Sequence, residues 1–285
     1  MAMPGGRPNE VEHLLLDYIY DHKPDRTLDL TLDEAPSAEF AHTRSGGAYN
    51  FRKAVERLAG KGALHRLQHG RYVASRERGP ARSPRLQAFD PVAEVVLRRL
   101  QVEYYLSWHS ALWHHGLIDQ QSRRIYVAVR REKRPVRVGL AEVLFVRVTE
   151  RKFFGWEIDE DFEWPVRVAT VEKALLDSFD RPRLAAPVPV VADAMRRAWR
   201  AGKLNPERLV KAVERFGGPT VARRVGFFMD LYEIPGSEPL TLRLGRGYAV
   251  PLVPGHTPPP GEQRVSPRWR VYEDPALIGA ALEMK

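Results

Sequence analysis

Between Ala41 and Arg85 the chain carries Arg44, Arg52, Lys53, Arg57, Lys61, Arg66, Arg71, Arg76, Arg78, Arg82 and Arg85 against only Glu56 and Glu77. That is a local excess of nine positive charges, equal to the net charge of the whole 285-residue chain. The first forty residues, by contrast, set Arg7, Lys23 and Arg26 against nine Asp and Glu, so the positive charge is concentrated rather than spread. Concentrated cations of this kind bind polyanions, and double-stranded DNA is the expected partner. Tyr49 and Asn50, interleaved with Arg52 and Lys53, add groups that can read base edges. Asn pairs bidentately with adenine, Lys donates to guanine, and Tyr reaches a thymine methyl or a phosphate.

The elements that would position these groups can be read locally. Val11, Leu14, Leu15, Tyr18 and Ile19 give a first helix an apolar face, with Asn9 and Glu12 as a capping box. Leu28, Leu30 and Leu32 alternate as a short strand, and Asp33 to Ala41 follows as a brief second helix. Ser45 caps a third helix that runs to about Ala59. On it Ala48, Phe51, Val55 and Leu58 share one side, while Tyr49, Lys53 and Arg57 occupy the other, flanked by Asn50 and Arg52. ALHRL and RYVA then flank the turn Gln68-His69-Gly70 as a hairpin. Helix, strand, helix, helix, hairpin is the order of a winged helix-turn-helix domain.

In such a domain the third helix enters the major groove. Tyr49, Asn50 and Lys53 would then meet bases, and Arg44, Arg52 and Arg57 would hold phosphates. Ser45 and the glycines after it would bring a helix N-terminus close to the backbone. Arg66, His69 and Arg71 would reach from the hairpin to a flanking groove or phosphate, fixing register more than sequence.

The absence of cysteine excludes disulfides, thiolate metal sites and thiol nucleophiles. No run approaches the roughly 20 apolar residues of a membrane span, and MAMPGGRPNE lacks the apolar stretch of a secretory signal. No membrane partner and a cytoplasmic location are therefore expected. Residues 1–80 form the expected DNA-binding domain, with a Pro- and Arg-rich linker from Ser75 to Pro84, and 81–285 a larger mixed α/β domain. The expected fold class is α/β (α+β). In the larger domain helices are expected at Trp108–Leu117, Thr170–Phe179, Pro189–Ala201, Pro206–Phe216 and Pro219–Tyr232. Strands are expected at Arg124–Arg130, Val143–Val148, Leu240–Leu244, Tyr248–Val253 and Arg268–Tyr272.

The run VERLAGKGALHRLQHGRYVA resembles the third helix and wing of AbiEi-type antitoxins. YYLSWHSALWHHGL (from Tyr104), TVEKALLDSFDRP (from Thr170), LNPERLVKAVERFGGPTVARRVGFFMDLYEIPG (from Leu204) and the closing RWRVYED are similar to that family's later blocks. The resemblance covers most of the chain from Val55 onward. It departs before the third helix, where Thr27 to Thr43 holds a leucine-alternating strand and Pro36. What it implies is a transcriptional autorepressor that binds operator repeats through its N-terminal domain; because one module reads only a short site, inverted repeats bound by two copies are expected. It also implies antitoxicity residing in the C-terminal domain, against a nucleotidyltransferase-like toxin, often without a stable complex.

Other residue groups carry weaker chemistry. His109, His114 and His115 fall at i, i+5 and i+6, with no nearby carboxylate or cysteine to complete a metal set. Lys173 and Asp177 sit at i and i+4, the spacing of a helix-surface ion pair. Their block has no phosphate loop, nucleophile elbow or partner histidine. A second basic cluster, Arg123 to Arg137, could extend a DNA footprint, meet an acidic partner or simply protect a strand edge. The expectation is therefore a non-enzymatic DNA-binding antitoxin that needs no cofactor or metal. The alternatives are an enzyme or modifying factor acting on a toxin or RNA through the C-terminal domain, and a stand-alone regulator.

Overall fold

The computed structural model describes residues 10–22, 27–29, 47–61, 63–68, 71–74, 96–97, 100, 102–120, 122–138, 141–159, 165–245, 247–259 and 261–283; for 47–51 and 71, among others, it describes the backbone only. The chain divides into two compact units, Met1–Arg99 with Val136–Glu142, and Leu100–Pro135 with Val143–Lys285. Helices are combined with sheets that mix parallel and antiparallel pairing, which makes the fold α+β.

The first unit is built from α1 (Glu10–His22), β1 (Thr27–Asp29), α2 (Gly47–Gly60), β2 (Leu64–Gln68) and β3 (Arg71–Ala74). Its sheet has the order β1-β3-β2, with both pairings antiparallel. Leu15 and Ile19, four apart on α1, pack with Ala54, Val55 and Leu58 of α2 and with Leu28, Leu64 and Ala74 of the strands. These apolar positions recur at helical spacing, so one face of each helix is buried. Glu12 is 1% exposed, and Lys61 Nζ lies 2.6 Å and Arg57 Nε 3.6 Å from its carboxylate, which fastens α1 to the end of α2. Asn9, the helix expected at Asp33–Ala41 and the linker expected at Ser75–Pro84 lie outside the described residues.

The second unit has β4 (Tyr104–Leu106), α3 (Trp108–His114), β5 (Arg124–Val129), β7 (Ala141–Arg147), β8 (Trp156–Asp159), β9 (Val166–Ala169) and the helices α4 (Val171–Asp180), α5 (Val188–Arg200), α6 (Pro206–Phe216), α7 (Pro219–Leu231) and α8 (Pro275–Glu283). β6 (Val136–Val138) falls in the first unit; in the second the strand order is β7-β5-β4-β9-β8, so β8 is an edge among the described strands. β4 pairs parallel with β9 and antiparallel with β5, and β8 pairs antiparallel with β9. The Thr170 hydroxyl accepts from Lys173 N and starts α4 as an N-cap. α4 then runs buried from Val171 through Phe179 and packs on α3, α5, α6 and α7. Asn205 caps α6 through Arg208 N, and Pro206 and Pro219 occupy the first helical positions that proline favours.

Three expected strands come out differently. Leu240–Leu244 is a 3-10 helix, Glu238–Arg243. Its buried leucines, Leu240 and Leu244, are four apart while Leu242 between them is 85% exposed, and the Thr241 hydroxyl donates to the Glu238 carbonyl. Tyr248–Val253 contracts to β10 (Val250–Pro251), paired in parallel with β12 (Val271–Glu273). Arg268–Tyr272 starts later because Ser266 to Arg270 form a turn closed by Arg270 N to Ser266 O at 2.8 Å, with Arg270 left-handed. β11 (Arg264–Val265) completes this small sheet on the other side of β12.

Candidate nucleic-acid interface

On α2 the exposed residues are Arg52, Lys53, Glu56 and Arg57, while Ala54, Val55 and Leu58 are buried. The helix thus sets a cationic face away from the core, as its periodicity dictates. Arg57 is partly committed within the protein: its Nε donates to the Lys53 carbonyl at 3.2 Å and lies 3.6 Å from Glu12. Arg66 is exposed on β2, opposite the half-buried Tyr72 of β3. Leu64 and Ala74, paired at the base of the same hairpin, are buried, so the hairpin leaves the core as it runs outward. Between Arg66 and Gln68 the register shifts by a bulge, which re-aims a strand near its tip.

The structure therefore brings Arg52, Lys53 and Arg57 together on one helix and puts Arg66 on the adjoining hairpin. Tyr49 and Asn50 lie in the first turn of α2 and Arg71 opens β3, but their side chains are outside the described residues, as are Arg44, Ser45 and His69.

The second unit holds a different kind of cation. Lys173 is fully buried and ion-paired with Asp177, one turn on. The other Asp177 oxygen accepts from Ser107 Oγ at 2.7 Å and from Tyr105 OH at 3.3 Å. The Lys173 ammonium also lies 5.1–5.2 Å from the ring centres of Tyr105, Phe154 and Phe216. Burial is the main force lowering the Lys173 pKa, opposed by Asp177, and burial followed by the Asp177 charge pushes the Tyr105 phenol up. Next to this pair, Lys152 Nζ meets Asp180 at 2.7 Å. The Lys173–Asp177 pair is enclosed, its carboxylate shared with Ser107 and Tyr105 and its ammonium set among aromatic rings, an arrangement that fixes packing.

The three histidines diverge. His114 Nε2 lies 2.7 Å from Asp159 Oδ2, and His115 Nε2 lies 2.7 Å from the Ala169 carbonyl. Burial lowers the pKa of both His109 and His115. Among the described residues no three His, Cys, Asp or Glu are placed to hold a metal. In the second basic cluster Arg130 bridges Glu103 and Glu150 at 3.0 and 3.2 Å, Arg137 meets Glu142 at 2.9 Å, and Arg123, Arg124, Arg131 and Arg134 are exposed. None of the described helices is long and apolar enough to cross a membrane.

No family model matches the chain, and no curated protein is significantly similar to it. A solved structure is similar: the RV2827C protein from Mycobacterium tuberculosis, at 15% identity and a TM-score of 0.63, covering 99% of this chain and 98% of that one. At that identity the likeness establishes the α+β fold and nothing about activity.

Proposed function

We propose that the first unit is a winged-helix module that binds double-stranded DNA. In this reading the whole chain is an AbiEi-like repressor and antitoxin that acts by occupancy rather than turnover. The observation that carries the reading is the exposed cationic face of Arg52, Lys53 and Arg57 on α2, set over the buried Ala54, Val55 and Leu58, with Arg66 exposed on the adjoining hairpin. The packing of α2 against β2, one strand of the β2–β3 hairpin, supports it, because a winged helix carries its hairpin beside the recognition helix. Lys53, with Tyr49 and Asn50, reads bases; Arg52, Arg57, Arg66 and the remaining candidates hold phosphates.

Antitoxicity, a nucleotidyltransferase-like toxin as functional partner and a cytoplasmic location rest on the family resemblance. Coexpression with the product of the neighbouring reading frame tests them: growth should be rescued by the whole chain. DNA binding is tested separately, by titrating the protein's own promoter at several salt concentrations. A site that neutralises about six phosphates gives a log–log slope near −5, and a flat dependence would sink the reading.

A further inference from the structure

β8 ends the large sheet, and no described strand pairs with its outer side. The pairing places Trp156 opposite Ala169, Glu157 opposite Val168, Ile158 opposite Arg167 and Asp159 opposite Val166. In the same register Thr170 N donates to Gly155 O at 2.9 Å. Antiparallel pairing alternates, so the backbone groups of Glu157 and Asp159 face β9, and those of Trp156 and Ile158 face outward. An edge with free donors and acceptors is a template for another strand unless the protein blunts it. The outward residues Trp156 and Ile158 include no lysine or proline, and Ile158 is 56% exposed.

The two faces of this edge differ in chemistry. Glu157 and Asp159 share one face, and Asp159 meets His114 there at 2.7 Å. A cleft of about 380 Å³ opens beside these carboxylates, lined by Glu157, Asp159, His114, His115 and Thr170 together with the apolar Ile158, Val168 and Ala169. Burial keeps His115 toward its neutral form, so it offsets little of the carboxylate charge. Trp156 and Ile158 share the other face, where Arg167 stacks 4.9 Å over the Trp156 ring. In sequence, Glu157, Asp159, Glu160, Asp161 and Glu163 put five carboxylates within seven residues, with no Lys or Arg among them.

We propose that β8 is a strand-addition site for an extended cationic segment of another polypeptide. The Lys or Arg side chains of that segment face Glu157, Asp159 and the cleft; its alternate apolar side chains face Trp156 and Ile158. Main-chain hydrogen bonds to the Trp156 and Ile158 backbone supply affinity, and the cleft selects the cationic positions. Cross-strand pairing of opposite charges favours such a segment. The same rule disfavours a second copy of β8, which would set carboxylate against carboxylate, and phosphate repulsion disfavours nucleic acid. The site stands independently of DNA binding by the first unit.

The test is fluorescence anisotropy of the whole chain with a capped peptide of about seven residues alternating arginine and valine, long enough to cover the edge. Binding should weaken at least about tenfold when the peptide is N-methylated at alternate residues, because its ladder donors are lost. Ile158→Pro, which removes an outward N–H and leaves the β9 ladder intact, should weaken it about tenfold too. Glu157→Lys should do likewise, with a loss that shrinks in high salt. If Ile158→Pro fails to fold by circular dichroism, the N-methylated peptide and Glu157→Lys decide. The proposal is overturned if the peptide does not bind, if the N-methylated or block-scrambled peptide binds as well, or if Glu157→Lys is silent. It is also overturned if sedimentation shows a dimer that Ile158→Pro dissociates, which would make a second copy the occupant.

Discussion

In the first unit Arg52, Lys53 and Arg57 stand outside α2 over a buried apolar stripe, whereas in the second Lys173, Arg223 and Arg224 are themselves part of the interior. The interior cations are spent on the protein's own groups. Arg224 donates to the Phe179 carbonyl at the end of α4 and to Pro251, and Arg223 to Leu244 and Tyr248. The other set stays at the surface, with Arg57 also reaching the Lys53 carbonyl and Glu12. A count of basic residues treats the two alike, although one set stands exposed on a helix face and the other holds helices and loops in place. The difference can be broken at either end.

The largest effect is expected at Asp177. Asp177→Ala leaves the Lys173 ammonium buried without its counter-ion and strips Ser107 and Tyr105 of their acceptor. Urea denaturation should show a loss of about 3–5 kcal/mol. The double change Lys173→Met with Asp177→Leu should recover part of it, since it removes the unpaired charge while Ser107 and Tyr105 still lack their acceptor. A silent Asp177→Ala would mean that the pair is not structural.

Arg224→Lys comes next. Lysine keeps the charge but cannot span the Phe179 and Pro251 carbonyls at once, so a buried acceptor loses its donor, at about 1–3 kcal/mol. Arg52→Lys on the exposed face should leave the denaturation midpoint unchanged, within about 0.5 kcal/mol. Equal effects at the two positions would erase the distinction between the units.

On the recognition side, Lys53→Ala should weaken operator binding by about 1–3 kcal/mol and relax preference at one base pair. Arg66→Ala should weaken all sequences alike and reduce the salt slope by about 1. Neither should move the melting temperature. If both act equally on specific and random DNA, α2 holds the backbone and reads no bases.

What the sequence revealed tracks how local each signal is. The Thr170 cap, the prolines that open α6 and α7, and the face of α2 that carries Arg52, Lys53 and Arg57 depend on residues within a turn or two, and they were legible. The Lys173–Asp177 pair was legible only as a helix-surface contact. Its burial depends on Ser107 and Tyr105, some seventy residues away in sequence, and on the helices that surround α4. β8 escaped notice because four residues with two carboxylates do not read as a strand until β9 supplies a ladder. For α8 the signal is local, Asp274 before Pro275: the Asp274 carboxylate accepts from the amides of Ala276 and Leu277.

The smallest expected effect concerns pH, and it again separates the units. Burial depresses the His109 and His115 pKa values in the second unit, so each binds protons more readily when unfolded, where its pKa is about 6.5. Their contribution is complete above that value. It is lost as pH falls from about 6.5 through the lower folded pKa values, because the unfolded state takes up protons first. The melting temperature of the second unit should therefore decline modestly between neutral pH and pH 5. His115→Gln can still donate toward the Ala169 carbonyl but does not titrate, so it should flatten part of that decline. Unchanged pH dependence in His115→Gln and His109→Gln together would show that other groups govern it. Operator binding at constant salt provides the contrast, because it is read on the first unit. If binding follows the same pH profile as the stability of the second unit, DNA recognition depends on that unit as well, and the division between exposed and buried cations is not a division of function.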